Sequence, residues 1–182
     1  MLLRTLLAVL LFPVVAFAQA TIPAQRDQNA MQGDCTTFGW NLKAELDAMK
    51  GAATAVNAAA KPDGIPELKL GANSKINLQP QPSVTYAMKP ERDRGSATTF
   101  AGLIGFTVPD DGVYRISMTA NNWTDVIVGG KYGVSKAFEL AAKCDMVYKS
   151  VAYEFKKGDT LTIQISGSTP QTVGFIVSKW AN

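Results

Sequence analysis

Two kinds of hydrophobic spacing divide the chain. Between Thr36 and Pro62 apolar residues recur at helical intervals. Phe38, Leu42, Leu46 and Met49 are separated by four, four and three positions and make one stripe of a 3.6-residue period. Thr36 or Thr37 is placed to cap such a helix. Ala52 to Ala60 can extend it past Gly51, and Pro62 with Asp63-Gly64 ends it. The pattern predicts one N-terminal helix over about 37–60, thin enough at its alanine-rich end to lie close on a sheet. Beyond Ile65 the period drops to two. Short alternating runs are read at 67–70 and 75–78, with a shorter strand at 84–88 after Pro80 and Pro82. Phe100, Ile104, Phe106 and Val108 share a face. After the Pro109-Asp110-Asp111-Gly112 turn, Tyr114, Ile116 and Met118 share another, with Arg115, Ser117 and Thr119 opposite. Further strands are read at 123–128, 146–155, 160–166 and 173–180. Many short strands between Gly, Pro, Asn and Asp turns predict a mainly β fold. The expectation is a jelly-roll-like antiparallel β-sandwich with one N-terminal α-helix.

The first residues follow a different rule. Met1-Leu2-Leu3-Arg4 is a short basic start, Leu6 to Phe17 is an apolar run, and small residues follow at Ala16, Ala18 and Ala20. This is the pattern of a secretory signal peptide, with cleavage after Ala18 or Ala20. The run is short for a span, which takes about 20 apolar residues. A retained anchor is the alternative. The predicted organisation is a signal peptide over 1–20, a flexible polar arm over 21–34 and one domain over 35–182. The expected location is periplasmic or secreted, with no membrane span after signal removal.

An oxidising compartment changes how the two cysteines are read. Cys35 and Cys144 are most simply one disulfide closing a loop of 109 residues. Chain entropy alone would assign such a loop ~4–5 kcal/mol, an upper figure. Two free thiols are the alternative.

Charge and composition mainly exclude. The formal net charge is +3, of which Arg4 supplies one, too small and dispersed to argue for nucleic acid. The sequence has 0 His, so it offers no Ser-His-Asp or Cys-His mechanism and no imidazole metal site. The cysteines are too far apart for a CxxC motif, and no glycine cluster makes a phosphate loop. No catalytic residue, cofactor or metal site is assigned, although a loop calcium site of Asp and carbonyl oxygens is left open. Glu91, Arg92, Asp93 and Arg94 read as a solvated loop. Trp123, Tyr132, Tyr148 and Trp180 could stack on a sugar or meet a protein partner, or could be core.

Several pieces carry a resemblance: Phe100-Ala101-Gly102-Leu103 through Pro109-x-x-Gly112-x-Tyr114-Arg115-x-Ser117, then Trp123-Thr124-Asp125-Val126, Cys144-x-x-x-x-Lys149-Ser150-Val151, and Leu161-x-Ile163-Gln164-Ile165-Ser166-Gly167. Together with Cys35 and Trp40, these resemble a family of small exported proteobacterial proteins of unknown function. That family often carries the transferred name homogentisate 1,2-dioxygenase. The name implies iron held by two His and a Glu, which a chain without His does not supply. The Pro-x-x-Gly-x-Tyr strand start also resembles carbohydrate-binding and pre-peptidase sandwich modules.

The functional expectation is an exported non-catalytic protein that binds a small-molecule or glycan ligand, or an envelope partner. An enzyme and a structural envelope protein are the alternatives. One constellation is singled out. Alternation puts Lys149 on the face of Val147, Val151, Tyr153 and Phe155, and Asp125 on the face of Trp123 and Ile127. Each charge interrupts an apolar face, where it would be costly alone. Lys149 and Asp125 are therefore expected to pair beside Trp123, as a buried ion pair or, with Tyr148 near, as a ligand site. The alternative is that a bulge or strand end leaves Lys149 in water.

Overall fold

The computed structural model describes residues 21–92 and 94–180, so the signal-peptide reading of 1–20 lies outside the described residues. Among the described residues one α-helix, α1 (Lys43–Met49), precedes eleven strands. These are β1 (Thr54–Asn57), β2 (Ser74–Asn77), β3 (Gln79–Pro80), β4 (Phe100–Thr107), β5 (Gly112–Met118) and β6 (Trp123–Val128). They continue as β7 (Lys131–Tyr132), β8 (Ala137–Leu140), β9 (Lys149–Phe155), β10 (Thr160–Ser168) and β11 (Thr172–Lys179). One sheet runs β1-β2-β11-β5-β9-β8 and the other β3-β4-β10-β6-β7. Within them β2-β11-β5-β9 faces β4-β10-β6-β7, the two-Greek-key order of a jelly roll. All pairings are antiparallel except β1 with β2.

The predicted alternation fills the space between the sheets. Ile104, Phe106, Tyr114, Ile116, Met118, Val126, Tyr153, Phe155, Leu161, Ile163 and Ile165 form one buried cluster. Among the described residues no helix is long and apolar enough to cross a membrane.

The helix differs from expectation. It covers Lys43–Met49, not 37–60, and starts at Leu42 without a side-chain cap from Leu42 itself. Asn41 Oδ1 accepts from the Lys43 amide at 3.1 Å, while Thr36 is taken up by a local turn with Asp34. After Gly51 the alanine-rich stretch runs as β1, pairing in parallel from Thr54↔Ser74 to Asn57↔Asn77. Backbone pairing with a sheet edge overrides the helix preference of alanine, which is a weak prior. The run at 67–70 makes only an isolated bridge, Glu67↔Gly105, and 84–88 crosses a sheet instead of joining it.

Part of the arm over 21–34 packs against the domain. Met31 is fully buried, and the Ala142 and Lys143 amides donate to the Met31 and Gly33 carbonyls at 3.2 and 2.9 Å. Cys35 and Cys144 form the disulfide, which fixes this segment to the β8–β9 connection. The same N-terminal segment covers the outer face of the β5-β9 sheet. Trp40, Leu42, Val113, Val147 and Ala152 make a second core there, with the Trp180 ring tilted against Trp40 at 4.9 Å between ring centres. The polar face of β5 is thereby buried. Arg115 donates to Glu45 at 2.7 Å and to the Asn41 carbonyl at 2.8 Å, and Ser178 Oγ also donates to Glu45. Arg26 reaches Glu139 at 2.8 Å in a second pair.

Candidate functional site

The sandwich is open where the short strands β7 and β8 end its two sheets. A cavity of about 480 Å³ lies there, between β6 and β7 on one side and β8 and β9 on the other. That volume falls inside the roughly 300–1,000 Å³ range of small-molecule sites. Phe138, Leu140, Val151 and Val126 supply an apolar wall. Trp123, Lys149, Arg92 and Arg94 meet at its polar end.

The loop over 84–95 is what places the arginines. Gln164 on β10 exchanges two hydrogen bonds with the backbone of Met88, at 3.0 and 3.3 Å. Tyr132 Oη donates to the Lys89 carbonyl. At the far end the loop rests on a bulge of β10 between Ile165 and Ser168. Gly167 sits there at φ +63°, and a Cβ on it would lie 2.6 Å from Arg94 Cβ and 2.8 Å from the Arg94 carbonyl oxygen. Only glycine combines that backbone with so close an approach. The charge run read as a solvated loop thus lays two guanidinium groups over one indole. Arg92 Cζ is 4.7 Å and Arg94 Cζ 5.8 Å from the Trp123 ring centre.

Strand direction places the other charges. On β6, Val126 belongs to the inner core and Thr124 Oγ1 reaches Met118 Sδ. Asp125 and Trp123 therefore start on the outer face. Asp125 is buried by the covering loop. Its Oδ1 accepts from Trp123 Nε1 at 2.5 Å, and its Oδ2 from Gln164 Nε2 at 3.0 Å and the Glu91 amide at 3.4 Å. On β9, Lys149 shares the inner face with Val151, Tyr153 and Phe155, as alternation requires. Its Nζ is 5.7 Å from the Trp123 ring centre and donates to the Asn122 carbonyl at 3.2 Å.

Trp123, Asp125 and Lys149 are thus brought to one cavity, and Tyr148 is not among its walls. The expected Lys149–Asp125 ion pair does not form, because the two side chains leave opposite faces of their sheets. Asp125 is satisfied by neutral donors, and Lys149 by a backbone carbonyl. Burial, then the charges of Arg94 and Arg92, push the Lys149 ammonium down from 10.5 to about 8, against a smaller opposing pull from Asp125. Burial and the nearby negative charges of Asp125 and Glu91 hold the Tyr153 phenol well above its ordinary value.

The remaining sequence candidates fall elsewhere. Trp180 is committed to the second core, with Arg115 over its ring at 4.8 Å. Asn122 is fully buried and accepts from Thr124 Oγ1. Sequence reading missed Arg92, Arg94 and the β8 wall. Ala137-Phe138-Glu139-Leu140 does alternate, and that signal could have revealed β8. No protein-family model matches the chain, and no curated protein matches it in sequence.

Proposed function

We propose that this protein is an extracytoplasmic, non-catalytic β-sandwich that holds a small organic ligand in the cavity between β6–β7 and β8–β9. The observation that carries this reading is the convergence of three cations and one indole on an apolar-walled cavity of about 480 Å³. Such sites combine apolar lining with a few placed polar groups. The leader-like start, the disulfide and the resemblance to small exported proteobacterial proteins support the location. A ring-cleaving dioxygenase is a poor fit, since two-His iron sites need imidazoles and this sequence has 0 His. Val134, 77 % exposed at the cavity rim, would suit a protein partner, but one valine is far below the patch size that marks an interface.

Thermal-shift screening of the mature protein against glycans, sugar acids and small aromatic compounds tests the reading. At least one class should raise the melting temperature in a saturable way, and Trp123→Ala should remove the effect while the protein stays folded. A screen in which no compound acts at millimolar concentration would overturn it.

A further inference from the structure

Among the described residues two other inward-turned cations are matched by carboxylates: Arg115 has Glu45 and Arg26 has Glu139. Among the described residues Lys149 has none within ion-pair distance, and its ammonium makes one hydrogen bond, to a backbone carbonyl. An ammonium carries three donors. Arg92 and Arg94 crowd the same indole and make no ion pair among the described residues. Asp125 also lines the cavity, but its two oxygens already accept three hydrogen bonds from neutral donors. A neutral sugar stacked on Trp123 would bring no charge to these three cations and would compete with Arg92 for the ring.

Resting on the cavity-binding reading above, we infer that the ligand is an organic oxyanion. Its carboxylate, sulfate or phosphate group meets Lys149, Arg92 and Arg94, and its apolar or ring-bearing body lies against Phe138, Leu140 and Val151. Guanidinium groups suit oxyanions because their planar fork matches the oxygens in pairs. The anion also restores the charge that burial makes costly on Lys149. Binding therefore holds the Lys149 proton. Affinity is flat below about pH 8 and weakens above it. The other charged and titratable groups around Lys149 are Arg92, Arg94, Glu91 and Asp125, with Tyr132 and Tyr153, whose phenols burial pushes up and away from this window.

Calorimetric titration with matched probes tests the inference: benzoate against benzamide, and glucuronate against glucuronamide. The first pair reports an aromatic acid and the second a sugar acid. At least one acid should bind about tenfold or more tightly than its amide, in line with a charge-assisted hydrogen bond. That preference should fall about tenfold in Lys149→Met and persist in Lys61→Met, an exposed lysine paired only with Asp63. Arg92→Gln is a second variant that leaves the strand intact. Amide bound as tightly as acid would overturn the oxyanion inference and leave a ligand cavity standing. No binding of any of the four probes by folded protein would overturn both.

Discussion

Replacing Lys149 by methionine should stabilise the protein at neutral pH. Methionine keeps the length of the stem against Val151 and Tyr153 and removes the charge. In the folded state the ammonium titrates at about 8 instead of 10.5. The unfolded chain thus binds the proton more tightly, and holding it in the fold is a cost. At 1.36 kcal/mol per pK unit the full shift is about 3 kcal/mol, an upper figure because the side chain is only part-buried and salt screens the arginines. Loss of the bond to the Asn122 carbonyl returns about 1 kcal/mol. The net gain is about 1–2 kcal/mol, or ~2–8 °C in melting temperature for a domain of this size. The sign with pH follows from the depressed pKa. Between about 8 and 10.5 the unfolded chain carries more protons than the fold, so wild-type stability rises with pH through that window. Below about 8 the cost is present in full. Urea unfolding of both proteins from pH 6 to 10.5 measures this, since every other lysine is common to the two. The difference should be largest at pH 6–8 and close as pH rises. A variant less stable than wild type at pH 7, with a gap that does not change with pH, would refute the reasoning.

Other expectations follow from the second core and the N-terminal segment. Glu45→Ala should cost ~3–5 kcal/mol in urea unfolding, because it strands the buried Arg115 guanidinium, whereas Glu45→Met with Arg115→Met should cost clearly less. A double variant that costs the sum of the two single changes would show that the pair is not coupled. Thiol titration of unreduced protein should find no free thiol, and Cys35→Ser with Cys144→Ser should lose up to ~4–5 kcal/mol and release the 21–34 arm to limited proteolysis. Mass spectrometry of the exported protein should find its start at Gln19 or Thr21, and an intact Met1 in membrane fractions would contradict the leader reading.

The legible part of the fold was the part in which apolar residues alternate with polar or small ones along the strand. β4, β5, β10 and β11 alternate cleanly, and the structure places them where the pattern puts them. β1 was not legible, because an alanine-rich run satisfies a helix and an edge strand alike, and only its partner Ser74–Asn77 decides between them. The polar face of β5 looked solvent-facing, yet Arg115 and Ser117 are buried beneath a segment seventy residues earlier in the chain. At the site, alternation put Lys149 on the face of Val151 and Tyr153 and grouped Asp125 with Trp123. It could not say that those two faces belong to different sides of their sheets. Nor could it place Arg92 and Arg94, whose position depends on Gln164 and on the room left by Gly167.

The cavity reading makes its sharpest claim about one indole. The described residues include three tryptophans, and Trp40 and Trp180 pack together in the second core, away from the cavity. Trp123 alone lines the cavity, with its Nε1–H donated to Asp125. In a nitrogen-15 correlation spectrum these give three indole signals. Titration with the tightest-binding acid should move the Trp123 indole signal saturably and leave the other two in place. A shift confined to Trp40 and Trp180, or none in any indole while the acid binds, would contradict the assignment of this cavity as the binding site.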